Sequence, residues 1–423
     1  MNSILKKICW RTFIHTPLLL LLVLVSCAAV LVQEPEAIVL HADRIFDGSE
    51  FQTDRSILIS DGKIVRVAPR ASIDSKNAKV IELGDATVLP GFIEMHAHLA
   101  FKNVSADVVL KHGITTIRDV GGPLHTPYGG DGRLRVLTSG PILTADKGYP
   151  IPNMGAENIA IAVSSVEEAR KTVRDLIAGG AVVIKVALEP GGELGAPWSM
   201  AHGHGHHPAP TIEQHPGHSP KHSGAHDAHQ PKHRWPLLSE EIVKAIVDEA
   251  HQNNRKVTAH VAEERGVRIA VHSGIDEWAH IPCDLISESL LKQAVAQKVQ
   301  IVSTFDTLSK CRGGKQNAAM WTALGGDFLY GAEIAHPDIP WGIDAQELMY
   351  LRQMAGMDWA EVLRSATSKA GEALDLPLLG TLQEGAPADL IAVRGDPRHR
   401  PKILEYPDLV ISGSKIIVNN FKF

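Results

Sequence analysis

The stretch Pro90-Gly91-Phe92-Ile93-Glu94-Met95-His96-Ala97-His98 decides the fold. It reads as an apolar strand, Val88 to Met95, that ends in two histidines one residue apart. Side chains alternate faces along a strand, so His96 and His98 point the same way with the small Ala97 turned aside. Two imidazoles on one face, at the C-terminal end of a strand, make half of a metal site. Surface and core histidines also form such pairs by chance, so the rest of the chain has to decide.

Working outward, the middle of the chain alternates strand and helix. The strands expected after Val88 to Met95 are Ile114 to Val120, Pro141 to Ala145, Val182 to Leu188, Lys256 to Val261, Glu277 to Ile281, Gln300 to Phe305 and Phe328 to Ala332. Helical stretches lie between them, such as Val166 to Ile177, Glu240 to Gln252 and Ser287 to Ala296. Glu240 to Gln252 carries Ile242, Val243, Ile246, Val247 and Ala250 at helical spacing behind a Ser239 cap. Alternation on this scale predicts an α/β fold, a (β/α)8 TIM-type barrel over residues 88–375, with its active site at the C-terminal strand ends. Short alternating strands with turn signals occupy both chain ends, over 37–87 and 376–423. They predict one small β-sandwich built from both termini, with the barrel inserted between.

Further candidate residues fall where a barrel would place them. Lys256 to His260 and Glu277 to His280 read as successive strands that each end in a histidine. His260 and His280 then share the rim with His96 and His98. His112, His251 and His272 lie in helical contexts and read as ordinary surface or satisfied histidines. Lys185 interrupts the buried strand Val182 to Leu188, where an ammonium is expensive unless paired or neutralised. It either reaches solvent or a carboxylate, or reacts with carbon dioxide to a carbamate that bridges two metal ions. The last strand needs an acid, and Asp327 and Glu333 compete for the role. Asp327 directly follows the Gly325-Gly326 helix stop, at the start of the strand. Glu333 stands at its C-terminal end and is preferred.

The 423-residue chain has a net charge of -6 and 44% hydrophobic residues, enough for a large domain and a small one. Nothing in that balance points to nucleic acid. Lys6, Lys7 and Arg11 precede the apolar run Pro17 to Val25, too short to span a bilayer comfortably but suited to a signal peptide over 1–26. Ser26-Cys27-Ala28 resembles a lipobox, with Cys27 lipidated and residues 27–36 a tether. The expected location is therefore the bacterial cell envelope, lipid-anchored and facing the periplasm or exterior. Of the four cysteines, Cys283 and Cys311 remain in the mature body, free or bridged.

One segment breaks the rhythm. The insertion 201–236 holds His202, His204, His206, His207, His215, His218, His222, His226, His229 and His233, ten of the chain's 22 histidines. It has no apolar period with which to bury a face. Its imidazoles suit zinc, copper or nickel, which makes it a candidate accessory metal loop.

Taken together, these residues resemble the amidohydrolase superfamily, in its imidazolonepropionase-like and metal-dependent dipeptidase branch. The resemblance covers most of the chain after Ala37. It rests on Leu89 to His98, on Gly113-Ile114-Thr115-Thr116-Ile117-Arg118-Asp119, on Lys185, His260 and His280, and on Gly380 to Leu390. It implies a hydrolase of carbon–nitrogen bonds acting on a small molecule, with an oligomer compatible. His96 and His98 would hold one divalent ion, His260 and His280 another, with carbamylated Lys185 bridging two zinc ions. Without the carbamate, a single-metal site of His96, His98 and His260 remains. Glu333, as ligand and catalytic acid, would move the proton of a metal-activated water, with a metal or a histidine such as His280 at the oxyanion. Two departures stand out: Gly331-Ala332-Glu333 replaces the usual Gly-Thr-Asp, and the histidine-rich insertion has no counterpart. The rival reading is an envelope lipoprotein that captures zinc, copper or nickel through that insertion. A pure scavenger has no need of Lys185 and an acid on separate strands, which favours the enzyme.

Overall fold

The computed structural model describes residues 37–101, 103–156, 158–190, 235–308, 311 and 313–421. Cys27, the signal and tether, and the ten histidines of the insertion lie outside the described residues. Ala37–Phe423 forms one compact unit.

Four strands open it: β1 (Ala37–Phe46), β2 (Phe51–Ser60), β3 (Lys63–Ala68) and β4 (Ala78–Pro90). The parallel strands follow as β5 (Phe92–Ala97), β6 (Ile114–Asp119), β7 (Arg135–Thr138), β8 (Ile142–Thr144), β9 (Ala160–Ala162) and β10 (Val183–Ala187). They continue as β11 (Lys256–His260), β12 (Glu277–Trp278), β13 (Gln300–Val302) and β14 (Asp327–Leu329). The chain closes with β15 (Leu390–Arg394), β16 (Leu409–Ser412) and β17 (Lys415–Asn419).

Strands from both termini share one seven-stranded mixed sheet, ordered β17-β16-β15-β4-β1-β2-β3. Its inner face buries Leu40, Ile57, Ile59, Val88, Leu390 and Ile411. The edge strand β3 bends back onto the approach to β15, since Ile64 N–H donates to Ala386 O at 2.9 Å and Ala388 N–H to Gly62 O at 2.8 Å.

The deciding stretch is divided where a single strand, Val88 to Met95, was expected. Val88 to Pro90 belong to β4 in the terminal sheet, and β5 starts at Phe92. The break falls on Gly91, whose N–H donates to Asp389 O at 2.9 Å. A Cβ there would stand 2.2 Å from the Thr115 side chain, so the close approach of β6 requires glycine.

The parallel strands form two sheets, β5-β6-β7 and β14-β13-β12-β11-β10-β8-β9. Both seams between them carry hydrogen bonds. Val182 N–H donates to Thr138 O at 2.9 Å on one side, and His98 N–H to Ile334 O at 2.9 Å on the other. The expected strand Pro141 to Ala145 is the three-residue β8, flanked by the unexpected β7 and β9. Helices cover the sheets with amphipathic faces. Glu240–Gln252 is capped by the Ser239 side chain on Ile242 N–H and buries Val243, Ile246, Val247 and Ala250. No helix among the described residues is long and apolar enough to cross a membrane.

Candidate active site

The C-terminal ends of the parallel strands deliver the predicted histidines to one buried cluster. His96 lies in β5 and His98 just past it; His260 ends β11, and His280 follows β12. His96 Nδ1–H donates to the Ala279 carbonyl at 2.9 Å. In the neutral ring this leaves the lone pair on Nε2, which lies 3.1 Å from His98 Nε2. The His96 and His280 rings are 4.5 Å apart, as are those of His260 and His280. His260 Nε2 faces the Pro190 carbonyl at 3.4 Å, and His280 Nδ1 lies 2.9 Å from the Thr304 hydroxyl. Lys185, fully buried in β10, is in register with Thr258 of β11, two residues before His260.

The electrostatics hold these imidazoles neutral. Burial lowers the pKa of all four, and the Lys185 charge adds to the effect at each. His98 and His260 are pushed down to about 3, and His96 and His280 lie well below the usual histidine range. Neutral imidazole is the form that ligates metal.

Glu333 lies beyond β14 in a turn folded back over His98. Its φ is 67° and that of Ala335 is 95°, left-handed values that cost non-glycine residues on the order of 1–3 kcal/mol each. The turn is held by His336 N–H on Glu333 O at 3.0 Å and by a bridge between Ala97 and Ile334. Gly331 makes room beneath it: a Cβ there would lie 2.4 Å from Val302 and 3.1 Å from His96 Cβ. As a result, His96, His280 and Glu333 offer ligand atoms within 4.8 Å of one another, all three buried. Two neutral imidazoles and a carboxylate so placed fit a divalent ion. Asp327 is elsewhere, exposed at the start of β14 and 2.6 Å from Lys369 Nζ. The described candidates therefore meet in one place: His96, His98, Lys185, His260, His280 and Glu333.

Other residues frame this cluster and were not anticipated. The Glu94 carboxyl accepts the N–H groups of His96 at 2.7 Å and Ala332 at 2.9 Å. One buried side chain thus ties the first histidine to the residue before Glu333. Burial pushes its pKa up to about 8, against the pull of those two amides. Asp119, at the end of β6, is hydrogen-bonded by the backbone of Gly121 and Leu99, and burial raises its carboxyl to about 7. Asp119 thus ties the residue after His98 to the loop that follows β6. The Phe101 ring lies flat on His98 at 4.3 Å, and the Tyr149 ring packs against His260 at 5.0 Å. Nearby, Cys283 and Cys311 form a disulfide between the loops that follow β12 and β13.

Comparison with known proteins agrees with this geometry. Ochratoxinase from Aspergillus niger is 28% identical over 291 residues, 65% of this chain and 52% of its own length. The chain thus spans about half the length of the curated relatives it matches. The crystal structure of A. niger ochratoxinase superposes with a TM-score of 0.69 at 21% identity, over 91% of this chain and 96% of that one. A prolidase in complex with N-methylphosphonate-L-proline gives 0.71 at 21% identity, over 90% of this chain and 100% of that one. These two structures share the fold. The amidohydrolase family pattern matches residues 87–420, most of the chain and every described residue of the cluster. The chain belongs to the amidohydrolase family.

Proposed function

We propose that this chain is a metal-dependent hydrolase that cleaves a carbon–nitrogen bond with water. One observation carries the reading: His96, His280 and Glu333 converge within 4.8 Å in a buried site. His98, His260 and Lys185, buried in the same cluster, would supply the donors for a second ion, Lys185 as its carbamate. When bound, a divalent ion supplies Lewis acidity, polarising a carbonyl and lowering the pKa of water. Glu333 accepts a proton from the water whose oxygen attacks the amide carbon. It then returns that proton to the nitrogen as the C–N bond breaks, giving a carboxylic acid and an amine. Glu94 and Asp119 keep His96, Glu333 and His98 in place while this occurs.

We also read the two parallel sheets as arcs of one (β/α)8 barrel, with β7 and β8 sharing its third position. The hydrogen bonds at both seams support this, as does the Arg118–Glu277 ion pair between β6 and β12. The terminal sheet, bent so that β3 meets the approach to β15, serves as the small β-sandwich. Export and lipid anchoring at Cys27 remain our proposal from the basic and apolar segments around it, and the Cys283–Cys311 bridge suits an oxidising compartment. The histidine-rich insertion is proposed as a separate metal store for the enzyme.

The test is metal analysis of the purified chain beside a hydrolysis screen of cyclic amides, N-acyl amino acids and dipeptides. Turnover of one class that is lost with the metal in His96→Ala is expected. Full metal content in that variant would remove His96 from the site, and no turnover of any class by loaded protein would end the hydrolase reading.

A further inference from the structure

We propose that the cavity beside His41 in the terminal sheet binds a small zwitterion, an α-amino acid with a free carboxylate and a free ammonium. The cavity has a volume of about 330 Å³, within the range of roughly 300–1,000 Å³ that small-molecule sites occupy. It is built by β1, β2, β4 and the turn after β3, and includes no residue of the histidine cluster. Its origin is an irregularity in the sheet. β1 slips twice against β4 between His41 and Arg44, where Ala42 pairs with Gly84. Gly84 has a φ of 58°, and a Cβ there would meet nothing within 4 Å, so space stands open above it.

Part of the lining is buried and part is charged. His41 and Ser56 face one another across β1 and β2, and His41 Nδ1 lies 2.5 Å from Ser56 Oγ. Both residues are more than nine-tenths buried, and Nε2 of the ring has no partner among the described residues. Burial, helped by the Arg70 charge, holds the His41 pKa below the usual histidine range, so the ring is neutral at pH 7. Whichever nitrogen carries the proton, Nε2 offers a hydrogen bond, as donor to a carboxylate or as acceptor from an ammonium. Arg70 is engaged, its fork donating to the Glu82 carboxylate at 2.5 and 3.0 Å. The half-buried Arg55 is not: among the described residues it has no hydrogen bond or ion pair, and neither have the exposed Asp43 and Asp54. One guanidinium and two carboxylates thus line one small cavity without pairing with each other. An anion would answer Arg55 and be repelled by the two aspartates, and a cation would do the reverse. A zwitterion answers both, with its carboxylate on the Arg55 fork and its ammonium at Asp43 and Asp54.

The experiment is calorimetric titration of the full chain with glycine, L-leucine, L-phenylalanine, L-glutamate and L-lysine. At least one should bind with a Kd of about 1 mM or tighter. For that amino acid, the decarboxylated amine and the deaminated acid should each bind about tenfold more weakly or worse. Arg55→Met should weaken binding about tenfold or more, as should Asp43→Asn combined with Asp54→Asn, with metal content unchanged. His96→Ala, which alters the histidine cluster alone, should leave binding intact. Should Arg55→Met fail to fold, the asparagine pair decides, because both carboxylates are exposed and without partners among the described residues. The proposal is overturned if none of these amino acids binds, if either analogue binds as well as its parent, or if binding survives the charge-removing variants. Binding lost in His96→Ala would assign the ligand to the histidine cluster and overturn it equally.

Discussion

The Arg118 guanidinium and the Glu277 carboxylate meet inside the fold in a two-pronged ion pair, at 2.5 and 3.1 Å. Their side chains are 3% and 5% exposed, so water shields neither charge. Arg118 comes from β6 and Glu277 from β12, so the pair links the two parallel sheets beneath the histidine cluster. Its Nε–H also donates to Met95 O at 2.9 Å, one residue before His96.

Removing one partner should therefore strand the other. Arg118→Met is expected to lower stability by about 3–5 kcal/mol, the usual cost of an uncompensated buried charge. Arg118→Met combined with Glu277→Leu should recover much of that loss. Chemical denaturation of the single and double variants measures it. A double variant as unstable as the sum of both singles would mean that the two residues act through packing and not through their charges.

Glu333 and Asp327 can be separated by a second pair of variants. Glu333→Gln should fold and lower turnover by roughly 10²–10⁴-fold, the range of general acid–base catalysis. Asp327→Asn loses only a partly exposed contact with Lys369, so stability should change by about 1 kcal/mol or less. Turnover and melting curves of both variants are the measurements. Full activity in Glu333→Gln would remove the proton transfer assigned to that carboxylate.

The sequence made the strand ends legible because their chemistry conflicts with their surroundings. His96, His98, His260 and His280 end apolar runs, and Lys185 interrupts one. Glu94 carries the same signal as Lys185, a charge within a buried run. The strands are shorter than their apolar runs: β12 spans only Glu277–Trp278 and β14 only Asp327–Leu329. Apolar residues continue past both because the loops there, including Ala279, Ile281 and Ile334, are buried as well. β7 and β9 were missed since four and three residues carry too little alternation to stand out. Tyr149 reaches His260 from the loop after β8, on a path that only tertiary packing sets.

The Cys283–Cys311 bridge closes a separation of 28 residues. Constraining a loop of that size in the unfolded chain is worth roughly 2–4 kcal/mol. Replacing both cysteines with serine should lower stability by that amount, and reducing agent should lower the wild type to the level of the variant. Equal melting points with and without reductant would show that the bridge is not formed in the protein tested.

Glu189 offers a pH-dependent counterpart. Its carboxyl accepts Gly266 N–H at 2.7 Å and Glu263 N–H at 3.1 Å, at the start of the helix that follows His260. Burial pushes its pKa up to about 7, against the pull of those amides and with the nearby Glu263 charge adding to the rise. A carboxyl raised in the folded state binds its proton more tightly there than when unfolded. Its stabilising contribution is therefore complete below the unfolded value near 4.5 and is lost as pH rises through about 7. Glu189→Gln keeps an oxygen for the two amides but cannot ionise. The stability of the variant relative to wild type should improve from about pH 4.5 to about pH 7 and then level off, by a few kcal/mol at about 1.4 kcal/mol per pKa unit. Taking the difference between the two proteins cancels the opposing effect of the buried histidines, which destabilise the fold on acidification. Denaturation midpoints measured across that range supply the curve, and a difference that stays flat with pH would show that Glu189 does not titrate there.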